Sequence, residues 1–264
     1  MSDAPFQVRP TDPAPASCKL CGGVARLFGV IDFNRNCEEI RGKFLPPAGI
    51  PIPYRRCAAC GLVYTEAFDD WSHADFETHI YDAGYSEVDA DYEEVRPTNM
   101  AAFVARLFAG ARHSLDILDY GGGNGVLAAR LKTAGFPLVE TYDPFHPAHR
   151  TRPDRRFDLV TCFETLEHMP DPTRGAADIA ALLKPDGLLL FSTLVQPADF
   201  DAQGMQWWYI GPRNGHVTLH SRASLTALWA GQGLQLASFN DNMHTAFRTL
   251  PPFAQHLMPS AAAS

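Results

Sequence analysis

The residues best suited to bind a cofactor form a glycine-rich run after a short apolar segment: Asp119-Tyr120-Gly121-Gly122-Gly123-Asn124-Gly125. Glycines in such a run allow a tight turn and let a ligand approach the backbone with no Cβ in the way. The pattern Gly123-x-Gly125-x-x-Ala128, with Asp143 about 20 residues farther on, fits the dinucleotide fingerprint. The run alone therefore leaves a nicotinamide dinucleotide and S-adenosylmethionine as alternatives.

The charge of Asp119 separates these two cofactors. Asp119 directly precedes the glycines, at the end of an expected strand. A carboxylate there repels a pyrophosphate, whereas it attracts a cofactor that carries an ammonium and a sulfonium group. The position of Asp119 favours S-adenosylmethionine.

A second group of polar residues is the string Glu164-x-x-Glu167-His168, which follows the apolar segment FDLVTCF. Ligands bind at the carboxyl ends of the strands in open α/β sheets, so this string is a candidate for the chemistry. His168 is the candidate general base, and Glu164 lies beside it as a second catalytic candidate. In the alternative interpretation the string only anchors the loop between a strand and a helix.

The loop over residues 196–220 is rich in aromatic and basic side chains. Trp207 and Trp208 either fill a core, which is the more frequent use of tryptophan, or form the floor of a substrate site. Arg213 either binds a phosphate or carboxylate or forms a surface ion pair. His216 is the third catalytic candidate, and His220 follows it on the same loop. We expect this loop to act as a substrate lid.

Two Cys-x-x-Cys pairs give the N-terminal part a metal-binding pattern: Cys18, Cys21, Cys57 and Cys60. Thiolates on two such turns can complete a tetrahedral zinc site with four sulfur ligands, which leaves no open position and makes the zinc structural. Two redox dithiols and four reduced structural cysteines are the alternatives. Cys37 and Cys162 are unpaired in the pattern and are expected to be buried apolar residues.

The chain after residue 115 alternates between strand-like and helix-like segments. LDILDY, LVETYD, FDLVTCF and GLLLFSTL are interpreted as strands, and VLAARLKTAG and DPTRGAADIAALLKPDG as helices. Asp171 and Pro172 suit the start of one helix, with Pro185-Asp186-Gly187 as its stop. The alternation predicts an α/β fold with a doubly wound, mostly parallel sheet.

The order of these motifs over residues 115–240 resembles that of class I methyltransferases that use S-adenosylmethionine. The matching parts are the glycine run, Asp143 at the end of the second strand, the segment from Phe157 to His168 and the strand LLKPDGLLLFSTL. The resemblance implies a Rossmann-like methyltransferase fold, to which a small zinc-ribbon-like module is joined at the N-terminus. Only a short stretch separates Asp143 from Phe157, so we expect the family's third strand to be missing or degenerate.

The resemblance also implies roles for individual residues. Asp119, Gly121, Gly122, Gly123 and Asn124 would hold the methionine part of the cofactor, Asp143 would accept hydrogen bonds from the ribose, and Phe163 would touch the cofactor. The Glu-x-x-Glu-His string is similar to that of ubiquinone-pathway O-methyltransferases and small-RNA 2′-O-methyltransferases. That similarity implies a magnesium-like ion at Glu164, Glu167 and His168 as a third interpretation of the string.

Composition limits the partners. The chain has 264 residues, 46% hydrophobic and 20% charged, which is typical of a globular domain plus a small module. Its formal net charge of −8 disfavours nucleic acid as a partner. No apolar run is long enough to cross a bilayer and the N-terminal residues show no basic-then-apolar secretory pattern, so we expect a cytoplasmic protein with no membrane partner.

These observations together predict an enzyme and its organisation. We expect methyl transfer from S-adenosylmethionine to a small polar metabolite, with a sugar-like hydroxyl as acceptor. The alternatives are RNA methylation and a non-catalytic interaction protein. The expected organisation is a disordered arm (1–17), a four-cysteine zinc module (18–66), a connector with a helix (67–110), a methyltransferase domain (111–250) and a tail (251–264).

Overall fold

Two β-sheets organise residues 6–257, the part of the chain that the computed structural model describes. Short 3-10 helices connect several of the regular elements, among them Cys37–Arg41, Leu166–His168 and Pro252–Leu257. The strands are β1 (Ala16–Ser17), β2 (Val24–Asp32), β3 (Pro51–Cys57), β4 (Val63–Thr65), β5 (Ile117–Tyr120), β6 (Val139–Tyr142), β7 (Phe157–Phe163), β8 (Leu183–Ser192), β9 (Thr218–Leu219), β10 (Gln235–Ser238) and β11 (Met243–Phe247). The α-helices are α1 (His73–His79), α2 (Tyr85–Val88), α3 (Val95–Leu107), α4 (Val126–Thr133), α5 (Pro172–Ala181), α6 (Phe200–Gln203) and α7 (Arg222–Ala230).

The larger sheet has the strand order β10-β11-β8-β7-β5-β6. Strands β6, β5, β7 and β8 are parallel, and β11 joins β8 antiparallel. One face packs on α5 and α7 and the other on α3 and α4, as the members of two separate apolar cores show. The predicted doubly wound, mostly parallel sheet is confirmed. Strand β6 forms the edge of this sheet within residues 6–257, in agreement with the expected loss of the family's third strand.

Helix α5 begins as predicted but ends earlier. The Asp171 carboxylate accepts a hydrogen bond from the backbone N–H of Arg174, and Pro172 occupies the first turn. The helix ends at Ala181, and β8 already pairs with β7 from Leu183. Pro185-Asp186-Gly187 is therefore not the helix stop, because it lies within β8, where the pairing with β7 is irregular.

The smaller sheet is antiparallel, with the order β1-β2-β3-β4-β9. Strand β9 comes from the loop expected to form a lid, and it pairs with β4 through Val63 and Leu219. Residues 18–66 therefore do not complete this sheet by themselves. The loop and the cysteine-bearing segment are parts of one sheet.

The expected disorder of residues 1–17 is wrong for residues 6–17, and residues 1–5 lie outside the described part of the chain. The Phe6 ring lies 4.5 Å from that of Phe33 and 5.5 Å from that of Trp71. The backbone N–H of Arg9 donates to the carbonyl of Ala67. Apolar contacts and backbone hydrogen bonds order this segment, which its Pro-rich composition did not indicate.

The expected tail is described only as far as residue 257. Pro252–Leu257 form a 3-10 helix whose Ala254 is buried against the core of α3 and α4. Residues 258–264 lie outside the described part. Among the helices of residues 6–257, none is long and apolar enough to cross a membrane.

Candidate functional site

The glycine run turns at the carboxyl end of β5, and its glycines are needed for different reasons. A Cβ on Gly122 would lie 2.2 Å from Oδ2 of Asp119, and one on Gly121 would lie 2.5 Å from Oγ1 of Thr165. A Cβ on Gly123 would meet no atom within 4 Å, although its φ of 53° favours glycine. Gly121 and Gly122 are thus enclosed by protein, whereas Gly123 faces open space where a ligand can approach.

Asp119 is a buried carboxylate with one unused oxygen. Its side chain is 3% exposed, and Oδ1 accepts a hydrogen bond of 3.0 Å from Thr161. Oδ2 is buried without a partner in the described part of the chain. Burial raises the pKa of Asp119 to about 7, the Thr161 hydroxyl opposes that shift, and the negative charge of Asp143 adds to it. A buried acceptor without a partner is rare, and Oδ2 is therefore available to a donor such as an ammonium group.

Asp143 follows β6 and orders the glycine run. Its Oδ2 accepts a hydrogen bond of 2.8 Å from the N–H of Gly123, and its Oδ1 accepts one of 2.8 Å from the N–H of Phe145. Asp119, Gly123 and Asp143 therefore lie together at the carboxyl ends of the parallel strands, as the strand order requires.

Two other predicted cofactor residues have different surroundings. The Asn124 amide donates to the carbonyl of Glu93, and its Oδ1 accepts from the N–H of Val126. Its side chain thus holds local structure. Phe163 ends β7 and packs partly buried against the core of α3 and α4.

The backbone of Glu164, at the end of β7, has a strained conformation. Its φ of 48° makes it the one non-glycine residue with positive φ in residues 6–257. The Ser192 hydroxyl donates to its Oε1 at 2.6 Å. Burial raises the pKa of Glu164 to about 7, and the charge of Glu167 adds to the shift. Strain of this kind is concentrated at functional sites, where the surrounding structure maintains it.

Glu167, His168 and His216 converge at the same carboxyl end of the parallel strands. Their potential ligand atoms all lie within 4.8 Å of one another. His168 donates from Nδ1 to the carbonyl of Gly215 at 3.2 Å, and His216 donates from Nδ1 to the carbonyl of Tyr209 at 2.8 Å. Because each Nδ1 carries its proton, each Nε2 keeps a free lone pair.

Both imidazoles are held neutral. Burial lowers the pKa of His168 to about 4, and burial together with the neighbouring His168 lowers the pKa of His216 to about 3. Glu167 is fully buried, and its Oε2 has no partner among residues 6–257. Two neutral imidazoles and a carboxylate with a free oxygen form a donor set suited to a divalent cation.

The loop over residues 196–220 is mostly packed into the protein. Trp207 is 2% exposed, and its ring lies 5.3 Å from those of Phe200 and Tyr209. Arg213 donates to the carbonyl of Ile80 at 2.7 Å and pairs with Asp82 at 2.9 Å. Internal contacts occupy both side chains, so the structure favours the core alternative for Trp207 and the ion-pair alternative for Arg213. His220 is fully buried beside Ser224.

Tyr81, one of several aromatic residues in the connector, borders this site. Its ring lies 5.1 Å from that of Phe145 and 6.2 Å from that of His168. It thus lies between the loop after Asp143 and the histidine cluster. Only the aromatic composition of the connector pointed toward it, since no spacing relates Tyr81 to residues so distant in sequence.

The four paired cysteines form one cluster at the edge of the smaller sheet. The Sγ atoms of Cys18 and Cys60 are 3.8 Å apart, and those of Cys21 and Cys57 are 3.5 Å apart. A tetrahedral zinc site with Zn–S bonds of about 2.3 Å places its sulfurs about 3.8 Å apart. All four Sγ atoms lie within 4.8 Å of one another. The cluster therefore has the donors and spacing that a zinc ion needs.

The comparison with known families agrees with this arrangement. A family profile described as a methyltransferase domain matches residues 92–238, which is more than half of the 264 residues. The chain belongs to this methyltransferase family. With the sheet order described above, the prediction of a class I S-adenosylmethionine-dependent methyltransferase is confirmed.

Curated relatives match this methyltransferase over shorter stretches. A ubiquinone biosynthesis O-methyltransferase of Coxiella burnetii is 54% identical over 44 residues, covering 17% of this chain and 19% of that protein. An enzyme of the same name from Actinobacillus pleuropneumoniae is 31% identical over 105 residues, covering 30% of this chain and 45% of that protein. The chain thus spans less than half the length of these relatives.

A solved structure shares the fold of the methyltransferase. It is an O-methyltransferase family protein from Burkholderia thailandensis, with a TM-score of 0.50 and 14% identity. The match covers 69% of this chain and 64% of that one. At this identity the likeness concerns the fold alone.

Proposed function

We propose that this methyltransferase transfers a methyl group from S-adenosylmethionine to a hydroxyl of a small molecule. The observation that carries the proposal is the meeting of two half-sites at one sheet edge. The glycine run with Asp119 and Asp143 forms one half, and Glu167, His168 and His216 form the other. The O-methyltransferase names of the curated relatives support oxygen as the acceptor atom, and a sugar-like hydroxyl remains our expected substrate class.

The first half-site fits the cofactor, which supplies an electrophilic methyl group when bound. The open space beside Gly123 lets the cofactor come close to the backbone. The unpaired Oδ2 of Asp119 accepts a hydrogen bond from the ammonium group of the cofactor. Asp143 accepts hydrogen bonds from the ribose hydroxyls. Asn124 orders the turn through its bond to Glu93, and the second N–H of its amide is the one left to donate to the cofactor.

The second half-site orients the acceptor hydroxyl and assists the removal of its proton. Its donors differ from the expected set of Glu164, Glu167 and His168, because His216 joins the group and Glu164 is bound to Ser192. Two imidazoles disfavour Mg²⁺, which prefers oxygen ligands, and suit a divalent first-row transition metal, for which Mn²⁺ serves as the paramagnetic probe. We therefore propose a divalent cation at Glu167, His168 and His216. In the alternative mechanism, Nε2 of His168 takes the acceptor proton directly.

Zinc at Cys18, Cys21, Cys57 and Cys60 completes the proposal. The sulfur distances fit a tetrahedral site, and four thiolates leave no position for a substrate. The ion would stabilise the smaller sheet, from which β9 leads back toward His216. The zinc would thus be structural, and the proposed partner is a small molecule rather than nucleic acid.

The test combines binding and turnover. Calorimetry with S-adenosylhomocysteine and with NADH distinguishes the two cofactor types, and Asp143→Ala should weaken the first interaction strongly. Transfer of labelled methyl groups should then be measured on catechols, sugars and an RNA oligonucleotide, with EDTA-treated and Mn²⁺-restored protein. Binding of NADH without binding of S-adenosylhomocysteine would contradict the proposal. Labelling of RNA alone would show that the acceptor is RNA and not a small molecule.

A further inference from the structure

Tyr209 contacts two members of the histidine and carboxylate cluster at once. Its hydroxyl donates a hydrogen bond of 2.7 Å to Oε1 of Glu167. Its backbone carbonyl accepts one of 2.8 Å from Nδ1 of His216. The two rings of Tyr209 and His216 also lie 4.3 Å apart between centroids. One residue therefore determines the orientation of both a carboxylate and an imidazole.

The hydroxyl of Tyr209 is a permanent donor toward Glu167. A phenol with its ordinary pKa of about 10 is protonated at neutral pH. The phenol thus stays protonated, and it also accepts a long hydrogen bond from the N–H of Leu194. With Oε1 of Glu167 engaged, Oε2 is the oxygen left without a partner in the described chain.

The ring of Tyr209 has little freedom to move. It is 3% exposed and packs against Trp207 at 5.3 Å and Trp208 at 5.4 Å between centroids. A side chain fixed in this way holds its hydroxyl in one place. The tryptophan pair expected to hold substrate therefore supports the residue that orders the cluster.

We propose that Tyr209 is a positioning residue that orients Glu167 and His216 to bind a divalent cation. This inference rests on the cation site of the proposed function and assigns a role to a residue that acts through two of the proposed ligands, Glu167 and His216. Hydrogen bonds from outside the ligand set fix the tautomer of a ligating histidine and the orientation of a ligating carboxylate. Tyr209 supplies one bond of each kind.

The test is Mn²⁺ binding by the full-length protein with zinc in its cysteine cluster, followed by electron paramagnetic resonance. Tyr209→Phe keeps the ring and the carbonyl but removes the hydroxyl. We expect its Kd for Mn²⁺ to rise by about 10–100-fold, with S-adenosylhomocysteine affinity unchanged. The matched control is Tyr92→Phe, which also removes a phenol bonded to a carboxylate, in this case Glu93 at 2.8 Å, and its Mn²⁺ affinity should not change.

The outcomes separate the two proposals. If the unaltered protein binds no Mn²⁺, the cation site of the proposed function is wrong, and the role of Tyr209 is wrong with it. If the unaltered protein binds Mn²⁺ and Tyr209→Phe binds it equally well, only the role of Tyr209 is overturned. Should Tyr209→Phe fail to fold, 3-fluorotyrosine at position 209 keeps the volume and changes the donor strength. An unchanged Mn²⁺ affinity in that protein would overturn the inference, and a changed one, in either direction, would support it.

Discussion

Lys19 and Pro170 are joined by a hydrogen bond of 3.0 Å from Nζ to the carbonyl, although they are 151 residues apart. Lys19 lies within the first cysteine pair, and Pro170 lies two residues after His168. On the other side of the cluster, the Tyr54 hydroxyl on β3 donates to the carbonyl of His216 at 2.7 Å. The cysteine-bearing sheet thus holds both histidines of the candidate site.

Removal of zinc should therefore affect the acceptor half-site more than the cofactor half-site. Untagged protein should contain about one zinc per chain, as a single four-sulfur site requires. Cys57→Ser should release the metal and destabilise the smaller sheet, because site and fold form together. Elemental analysis and calorimetry should show loss of zinc and of Mn²⁺ binding with S-adenosylhomocysteine binding retained. The control is Lys19→Met, which breaks the link to Pro170 but should keep zinc.

A methyl group on Gly122 should disrupt the cofactor half-site. In Gly122→Ala the new Cβ would lie 2.2 Å from Oδ2 of Asp119, so either the turn or the carboxylate must move. We expect loss of S-adenosylhomocysteine binding and a decrease of about 1–3 kcal/mol in the free energy of unfolding. Gly110→Ala is the control, since its Cβ would meet nothing within 4 Å. Equal binding by both variants would contradict the close contact with Asp119.

Cofactor binding should release a proton near neutral pH. Burial raises the pKa of Asp119 to about 7, so the free protein carries this carboxyl partly protonated at pH 7. An ammonium group beside Oδ2 favours the ionised form and lowers that pKa. Affinity for S-adenosylhomocysteine should therefore rise with pH from about 6 to about 7. Calorimetry in buffers of different ionisation enthalpy measures the released proton, which Asp119→Asn should abolish.

Asp119 should also reduce stability as the pH rises. The folded protein holds this proton up to about pH 7, whereas the unfolded chain releases it near the ordinary value of 3.8. Between these values the folded state binds more protons, so the contribution of Asp119 to stability falls with pH across that window. Denaturant unfolding at pH 5 and pH 7 should show Asp119→Asn gaining stability relative to the parent at the higher pH. A larger gain in stability at pH 5 than at pH 7 would show that folding does not raise the pKa of Asp119.

Replacement of His168 separates the mechanisms of the acceptor half-site. If its Nε2 takes the acceptor proton, His168→Ala should lower turnover by roughly 10²–10⁴-fold, with cofactor affinity nearly unchanged. If the cluster holds a cation, EDTA should also abolish activity and Mn²⁺ should restore it, with zinc content checked after chelation. If activity survives both treatments, Glu164, Glu167 and His168 only support the structure, and the catalytic residues lie elsewhere, on the loop over residues 196–220.

The sequence alone determined those features that depend on neighbouring residues. Strand and helix alternation, the cap at Asp171 and the acid before the glycine run are local patterns, and the structure shows each of them in place. The cysteine pairs likewise predicted a single cluster, because each Cys-x-x-Cys turn can present two thiolates. Once the strand order was implied by the family resemblance, Asp119 and Asp143 had to meet at one edge.

Tertiary structure decided the contacts between segments far apart in the chain. His168 and His216 converge because β9 joins the cysteine-bearing sheet, and no spacing in the sequence encodes that pairing. Arg213 and Trp207 are equally suited by type to a ligand or to the core. The carbonyl of Ile80 holds Arg213 in the interior, and the rings of Phe200 and Tyr209 hold Trp207 there. Periodicity reports which face of a segment is buried, whereas the neighbour that covers it is selected only when distant segments pack together.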